Sequence, residues 1–336
     1  MVARSNQVPT PAIALSEGDC SVSSVSISNE IPEVSEFESF LSEQRGSSAE
    51  LSPYQQWYNR GVWLGQMGQP AAAIASYRRS LSLNPVSVKA WYNQGNQFAQ
   101  MGLYETALHS YAKALRINPN LFIAWYSRGR LHCKLGDHQR GLNDYKRALV
   151  LQPNFYPAWC YQAEALMQLG QYEAAVTSFS QVLVLKPNLH QVWYRHGTAF
   201  YKLSRYQEAR TSYERALELK PNLVKVWHSR GNTLVRLGQL QAAVDSYDTA
   251  IALQPNCSDA WYSRGKALAY LGRYSEAVMS YDRVLKLKPD FPNARHCRQI
   301  ALCHLMPHMV LQHHWLLSNL KRAQERVGGS IPGSTL

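Results

Sequence analysis

Tryptophan recurs along this chain at a fixed interval of 34 residues, and that interval constrains the fold more than any other feature. A proline recurs with the same interval, and no residue is inserted or deleted between copies. A strict period of this length predicts seven equal structural repeats over residues 51–290. The residues in phase are Trp57, Trp91, Trp125, Trp159, Trp193, Trp227 and Trp261, and Pro85, Pro119, Pro153, Pro187, Pro221, Pro255 and Pro289.

Each repeat predicts two helices joined by a tight turn. In the second repeat, two sets of three residues are each spaced by steps of three or four, so each set lies on one face of its own helix. Gly102 lies between them, where a tight turn favours a residue without Cβ. Pro119 ends the second helix, because proline disfavours the α conformation in the residue before it. We expect helices of about 13 residues, with their Trp and Tyr rings buried between stacked repeats. The two trios are Trp91, Gly95 and Phe98, then Ala107, Tyr111 and Ala114.

The repeated pattern W-x3-G-x2-[FLYHM], A-x3-[FY]-x2-[ASV], P resembles the tetratricopeptide repeat, in the form with WYxRG segments that is typical of bacterial members. The resemblance covers residues 51–290. It implies an all-α, right-handed superhelical solenoid whose concave groove, lined by the first helix of each pair, holds a peptide or a segment of a partner protein. Three positions depart from the pattern: Ala163, Ser204 and Gly141 replace a first-helix glycine, a turn glycine and a second-helix alanine.

The phase of the first helix indicates three columns of side chains that are turned away from the Trp and Gly core. The tyrosine column follows each tryptophan and contains Tyr58, Tyr92, Tyr126, Cys160, Tyr194, His228 and Tyr262. The rung column, four residues later, contains Val62, Asn96, Arg130, Glu164, Thr198, Asn232 and Lys266. The leading column, three residues before the tyrosine column, contains Gln55, Lys89, Ile123, Pro157, Gln191, Lys225 and Asp259.

These columns predict a partner-binding face. Tyrosine offers ring area and one hydroxyl at a low cost in conformational entropy, which suits recognition. Asparagine can both donate to and accept from a peptide backbone. The alternative is that the tyrosines only brace the next repeat. The predicted partner-binding residues are Tyr58, Tyr92, Tyr126, Tyr194, Tyr262, His228, Lys89, Asn96, Arg130, Lys225, Asn232 and Lys266.

Two narrower functions are disfavoured by single residues. Relatives that clamp a chaperone carboxylate resemble one another in a Lys after the tryptophan and an Asn four residues later. Here Tyr58 and Val62 occupy these positions in the first repeat, and Tyr92 and Asn96 in the second. Arginines before the helix glycine could form a stripe for phosphates, but we favour side chains that cover apolar surface and extend to water. These arginines are Arg60, Arg128, Arg230 and Arg264.

The charge distribution leaves two alternative functions open. Two arginines and eight acids give residues 1–50 a charge of −6. Since the net charge of the whole chain is +12, the other residues together carry +18. A basic array could bind RNA, although no base-reading code is visible, or it could act as an assembly factor at an anionic membrane surface. No GxxxxGK[ST], HExxH, GxSxG or CxxC motif occurs. We therefore expect a non-catalytic scaffold that needs no cofactor.

The two tails carry separate predictions. Residues 1–50 predict a mostly disordered acidic leader with a short amphipathic helix at 34–44 that could dock on the basic array. Residues 291–306 predict the capping helix that an open array needs. Residues 307–336 predict a basic amphipathic helix and a tail, and residues 309–327 could fold back on the array or touch a membrane.

Cysteine and histidine usage predicts neither a metal site nor a disulfide framework. Cys297, Cys303, His304 and His308 follow C-x5-C-H-x3-H, which fits no common zinc motif. The six cysteines are scattered, as expected for free thiols in a reducing compartment. The start of the chain lacks the continuous apolar segment of a secretory signal, so we expect a cytoplasmic protein.

Overall fold

The computed structural model describes residues 51–305, and over these residues the chain forms fifteen helices and no strand. The predicted leader at 1–50 with its helix at 34–44, and the predicted helix at 309–327, lie outside the described residues. Among the residues described, no helix is both long and apolar enough to cross a membrane.

Fourteen of the helices form seven hairpins, one for each tryptophan period, which produces a helical solenoid. The first helices are α1 Pro53–Gln66, α3 Val88–Gln100, α5 Phe122–Lys134, α7 Tyr156–Gln168, α9 His190–Lys202, α11 Val224–Arg236 and α13 Ser258–Tyr270. The second helices are α2 Pro70–Leu83, α4 Tyr104–Ile117, α6 His138–Leu151, α8 Tyr172–Leu185, α10 Tyr206–Leu219, α12 Leu240–Leu253 and α14 Tyr274–Leu287.

The core of six of the seven hairpins is a second-helix aromatic ring packed on the first-helix glycine. In repeat two, a Cβ added to Gly95 would lie 2.7 Å from Cε1 of Tyr111, and in repeat six a Cβ on Gly231 would lie 2.5 Å from Cε1 of Tyr247. Real Cβ atoms do not approach this closely, so glycine is required for the ring to pack there. The predicted role of the glycine is confirmed.

The tryptophans are not the buried wedges that the sequence predicted. All seven in-phase Trp rings are only partly buried, whereas the second-helix tyrosines are almost fully enclosed. From the second repeat onward, each indole N–H donates to the carbonyl of the preceding in-phase proline, for example Trp91 Nε1 to Pro85 O at 2.8 Å and Trp227 Nε1 to Pro221 O at 2.7 Å. The tryptophan therefore fastens the inter-repeat loop, and an indole N–H needs such a partner when it is covered.

The turn between paired helices requires a left-handed backbone. Gly102 has φ of 78°, and a Cβ added to it would meet only the Tyr104 hydroxyl, at 4.0 Å. Conformation rather than space explains this glycine. In repeat five Ser204 takes the same position with φ of 59°, and its Oγ accepts a hydrogen bond from the Tyr206 hydroxyl at 3.2 Å.

The other two departures are each matched by a second substitution. Ala163 replaces the first-helix glycine in repeat four, and there Phe179 replaces the second-helix tyrosine. In repeat three, Gly141 replaces the second-helix alanine because a Cβ there would collide with Sγ of Cys133. The array therefore keeps its geometry by exchanging paired side chains.

A fifteenth helix, α15 (Ala294–Leu305), follows the last hairpin and packs against α14. Its Ala294 and Ala301 are buried. The five described cysteines, which are Cys133, Cys160, Cys257, Cys297 and Cys303, are all free thiols.

Candidate partner-binding face

Members of the tyrosine column reach across to the first helix of the following repeat. The hydroxyl of Tyr58 accepts from Asn93 Nδ2 at 3.0 Å, and the hydroxyl of Tyr92 lies 3.4 Å from Ser127 Oγ. His228 Nε2 makes the same link to Ser263 Oγ at 3.0 Å. Tyr262 reaches Cys297 Sγ at 3.6 Å. These residues brace the next repeat, and their side chains stay half-buried, so part of each ring remains accessible from the face.

Tyr126 is the exception in this column. It is 1% exposed, and its ring packs edge-on against Phe155 and Tyr161 with centroid separations of 5.0 and 5.7 Å. The spacing predicted a groove-lining side chain, but the bulky aromatic residues in repeats three and four cover it. Tyr126 is therefore a core residue.

Two asparagines of the rung column are held by buried tyrosines. The hydroxyl of Tyr111 donates to Asn96 Oδ1 at 2.6 Å, and the hydroxyl of Tyr247 donates to Asn232 Oδ1 at 2.7 Å. Neither Nδ2 group has a hydrogen-bond partner among the residues that the structure describes. Because the carboxamide oxygen is fixed, the orientation of the remaining N–H donor is fixed as well.

The cations predicted for this face lie at the surface. Lys89 and Lys225 in the leading column are exposed, as are Arg130 and Lys266 in the rung column. Lys266 Nζ lies 5.8 Å from the ring centroid of Tyr262. The side chains of lysine and arginine donate hydrogen bonds but accept none, so these positions suit carbonyl or carboxylate oxygens.

The centre of the face carries an ion pair instead of an asparagine. Glu164 in the rung column of repeat four lies 3.2 Å from Nη1 of Arg195. Burial raises the pKa of the Glu164 carboxyl, and the Arg195 charge opposes that rise. Burial also raises the pKa of the neighbouring Cys160 thiol to about 12, so Cys160 is protonated at neutral pH and is a poor nucleophile.

Three of the four arginines before the helix glycine, Arg128, Arg230 and Arg264, are paired with carboxylates. Arg128 makes a bidentate pair with Asp144, with distances of 2.8 Å from Nε to Oδ2 and 2.6 Å from Nη2 to Oδ1. Arg230 pairs with Glu214 at 3.2 Å. Their guanidinium groups also lie over tryptophan rings of the same helix. Paired charges of this kind are less available to a phosphate backbone.

A buried polar column inside the hairpins was missed by the sequence analysis. In six repeats, a buried serine of the second helix lies 15 residues after the position of the first-helix glycine. These serines are Ser76, Ser110, Ser178, Ser212, Ser246 and Ser280. Repeat three has Asp144 there instead. The signal was available in the sequence, because the same offset repeats with the 34-residue period, but it was hidden by the stronger aromatic pattern.

Two surface clefts lie near the first helices of repeats three and seven. The larger, of about 620 Å³, lies in repeat three and is lined by Trp125, Arg128, Asp144 and Arg147 among others. The smaller, of about 310 Å³, lies where α13, α14 and α15 meet, and Lys266 and Ile300 contribute to its wall. Of the twelve predicted partner-binding residues, Lys266 is the one that borders either of these two clefts.

Comparison with known families gives a consistent result. Family models described as tetratricopeptide repeat match residues 54–87, 88–121, 122–155, 144–177 and 228–292. A model described as TPR repeat matches residues 163–204 and 197–238. A search of curated proteins finds no match.

Three solved structures with similar folds are distant from this chain in sequence. The C-terminal part of a TPR repeat-containing protein from Cytophaga hutchinsonii aligns with a TM-score of 0.63 at 16% identity, covering 71% of this chain and 98% of that one. A tetratricopeptide repeat protein from Parabacteroides merdae aligns with a TM-score of 0.52 at 17% identity, covering 74% and 98%. YrrB, described as a TPR protein with an unusual peptide-binding site, aligns with a TM-score of 0.51 at 24% identity, covering 56% and 97%.

Proposed function

The chain belongs to the tetratricopeptide repeat family, and from that premise we propose that it is a non-catalytic scaffold that binds an extended segment of a partner protein along its first helices. Proteins of this family typically mediate protein–protein interactions. The solved relative YrrB is itself described as having a peptide-binding site. The segment would lie across the tyrosine, rung and leading columns.

The observation that carries this proposal is the pair of fixed asparagines. Asn96 and Asn232 each have the carboxamide oxygen held by a buried tyrosine hydroxyl, at 2.6 and 2.7 Å. The remaining Nδ2 donor is held in one orientation before any ligand arrives. A preorganised donor loses little entropy when it binds a peptide carbonyl, which is an economical way to recognise a backbone of any sequence.

The surrounding side chains supply the rest of the contact. Half-buried rings at Tyr58, Tyr92 and Tyr262, with His228, offer flat area that their links to the following helix hold rigid. The half-buried ring of Tyr194 packs on Tyr213 of its own repeat. Exposed cations at Lys89, Lys225 and Lys266 provide donors for acidic or carbonyl groups. Rigid aromatic anchors surrounded by adaptable polar groups are common in protein recognition surfaces.

The proposal is tested by changing the free donor without disturbing the buried tyrosine. In the variant Asn96→Asp/Asn232→Asp an acceptor oxygen remains for each tyrosine hydroxyl, but the Nδ2 donors are replaced by acceptors. Peptides selected from a random displayed library on the wild-type chain would be synthesised and their affinities measured by fluorescence polarisation. We expect the double variant to bind at least about tenfold more weakly.

The matched control adds the same two charges on second helices, in the variant Gln181→Glu/Gln207→Glu, where both glutamines are exposed. We expect its affinities to stay within about twofold of the wild type. Equal affinities for the asparagine variant and the wild type, or a library that yields no peptide, would contradict the proposal.

A further inference from the structure

The exposed side of the second helices changes its charge along the array. The first outer column, two residues after the buried polar column, is acidic in repeats five to seven, and each acid there pairs with an arginine of the following helix. These ion pairs are Glu214 with Arg230, Asp248 with Arg264, and Asp282 with Arg298. The same column carries Arg78 in repeat one and Lys146 in repeat three. Its charge is therefore neutralised late in the array and positive at two positions early in the array.

The second outer column, which is the next residue along each second helix, adds to this positive charge. In the first three repeats it contains Arg79, Lys113 and Arg147. Within residues 51–305, no carboxylate forms an ion pair with these three cations or with Arg78 and Lys146. The second helices of these repeats contain two acids, of which Glu105 lies in the first turn of α4 and Asp144 is buried.

The cleft of about 620 Å³ in repeat three contains the members of both outer columns in that repeat. Its lining includes Arg140, Asn143, Lys146 and Arg147 from α6, all exposed, and the half-buried Arg128 and His132 from α5. A volume of this size is within the range of sites that hold small organic molecules. None of the twelve predicted partner-binding residues lines the cleft, so it is separate from the candidate partner-binding face.

The single carboxylate that lines this cleft already has a partner. Both oxygens of Asp144 accept hydrogen bonds from Arg128, at 2.8 and 2.6 Å, and the Asp144 side chain is only 6% exposed. This bidentate pair satisfies the carboxylate inside the hairpin. Asp144 therefore does not act as the counterion of the exposed cations, and Lys146 and Arg147 still have donors available for an external anion.

The cleft carries a net charge of +3. Three exposed cations and Arg128 line it against one carboxylate, and burial lowers the pKa of His132, so that ring is largely uncharged at neutral pH. Arg140 pairs with Asp137 at 3.3 Å. Ion pairs between exposed side chains contribute little, so Arg140 can turn towards a ligand. Several cations that meet at one cleft favour an anion with more than one charge.

We propose that this cleft binds a small molecule that carries a phosphate monoester, with Lys146 and Arg147 as its main contacts and Arg140 and Asn143 as further donors. A phosphate monoester carries between one and two negative charges at neutral pH. Its three terminal oxygens can accept hydrogen bonds from ammonium and guanidinium groups together. A carboxylate, with one charge and two oxygens, would leave most of these donors without a partner.

This inference is independent of the proposed function, because it concerns second helices and a cleft outside the partner-binding face. The cations of the two outer columns in repeats one and two would help by attracting anions towards this part of the array. The phosphate could belong to a soluble ester or to the headgroup of a lipid, since both present the same group to the cleft.

Glycerol 3-phosphate is a direct probe of the site, and its binding would be measured by isothermal titration calorimetry at constant ionic strength. We expect saturable binding of one molecule per chain and no binding of glycerol. The variant Lys146→Ser/Arg147→Gln should bind at least about tenfold more weakly, because it loses two charge-assisted contacts. Repeat four carries the same two residues at these positions, Ser180 and Gln181, so the variant should fold normally.

The matched control makes the same two substitutions at the equivalent positions of repeat one, in Arg78→Ser/Arg79→Gln. It removes the same charge from the same outer columns but leaves the cleft intact, so its affinity should stay within about twofold of the wild type. No saturable binding to the wild type, or equal losses in the two variants, would overturn the site.

Vesicle flotation distinguishes the two sources of the phosphate. Vesicles of phosphatidylcholine with phosphatidylinositol 4-phosphate would be compared with vesicles that contain phosphatidylserine at equal total charge. Flotation on the first alone, lost in Lys146→Ser/Arg147→Gln, would support the site and assign the phosphate to a lipid headgroup. Binding of glycerol 3-phosphate without flotation would support it and assign the phosphate to a soluble ester. Equal flotation on both vesicles, kept by that variant, would count against phosphate recognition in the cleft.

Discussion

Repeats three and six use the same two-helix frame, but they differ in how their buried polar groups are partnered. In both, a first-helix glycine lies under a second-helix tyrosine: Gly129 under Tyr145, and Gly231 under Tyr247. In repeat six every buried side-chain polar atom has a partner among the described residues, whereas repeat three leaves the hydroxyls of Tyr126 and Tyr145 and Nδ1 of His138 without one. The close approach of the helices is a fixed requirement, while the polar positions around it can vary.

The variation is concentrated in two positions. Repeat six places Arg230 against a small buried serine, Ser246, at 2.7 Å, and repeat three places Arg128 against a buried carboxylate, Asp144. Repeat six offers an asparagine to its buried tyrosine, and repeat three offers an arginine. Each change adds charge to repeat three, so its stability should depend on ionic partners that repeat six does not need.

The largest change in stability is expected when Arg128, the partner of the buried Asp144, loses its charge. Asp144 is only 6% exposed at its side chain, so Arg128→Ala would leave a buried carboxylate without its bidentate partner. We expect a loss of about 3 kcal/mol in the free energy of unfolding, measured by urea titration. Arg264→Ala is the matched control, because it also loses a tryptophan contact but its partner Asp248 is 48% exposed. Its cost should stay below about 1 kcal/mol.

A rescue variant sharpens this test. Arg128→Ala/Asp144→Ser restores the serine found at this position in the other six repeats, and it should regain most of the lost stability. Equal costs for the two single alanine variants, or a failure of the rescue, would show that the carboxylate is not what makes repeat three different.

The next largest effect concerns the residue that precedes the first-helix glycine in repeat five, where His196 takes the place of the arginine. Burial, with a smaller contribution from Arg205, lowers the pKa of His196 to about 4, and both ring nitrogens lie 3.2 Å from serine hydroxyls, those of Ser180 and Ser212. An unfolded histidine has a pKa of about 6.5. As the pH falls below that value the unfolded chain takes up the proton first, so stability is present above about pH 6.5 and is lost towards pH 4.

We expect this histidine to remove about 2–3 kcal/mol of stability between pH 7 and pH 4. His196→Gln should flatten that part of the profile, because Gln94 and Gln162 already occupy the same slot in repeats two and four. Thermal unfolding at several pH values checks the prediction. The same slope in the variant would mean that other groups, such as His228, whose pKa is also lowered by burial, dominate the acid response.

The fold could be predicted from the sequence because its signals repeat. Seven copies of Trp and Pro, with six copies each of the first-helix Gly and the second-helix Ala, determine the helix pairs. The glycine under the tyrosine has a steric origin that any copy reveals. The same repetition misled us about the tryptophan. A large aromatic residue at every period suggested a core wedge, but spacing alone does not show that its N–H fastens the loop to a proline carbonyl.

The partner-binding face was harder to predict because it depends on pairs of residues in neighbouring repeats. The spacing placed Tyr126 and Tyr92 in the same column, yet it is the packing of Phe155 and Tyr161 against Tyr126 that buries it. Likewise, the roles of Asn96 and Arg130 follow from the second-helix tyrosine that lies behind each of them. Such relations join residues 15 or 35 positions apart, and they become visible only when the helices are placed side by side.

The smallest effect, and the one most specific to the comparison, comes from removing single hydroxyls. Tyr247→Phe deletes the donor that holds Asn232 at 2.7 Å, so it should cost about 1 kcal/mol in urea unfolding. Tyr145→Phe deletes a buried hydroxyl that has no partner, so it should be neutral or stabilise the chain by about 1 kcal/mol. Repeat four already carries this change at Phe179. Since both variants keep the ring on its glycine, the difference between them isolates the polar partner. A similar loss in both would mean that the Tyr145 hydroxyl has a hydrogen-bond partner in solution, and the two repeats would then not differ in this respect.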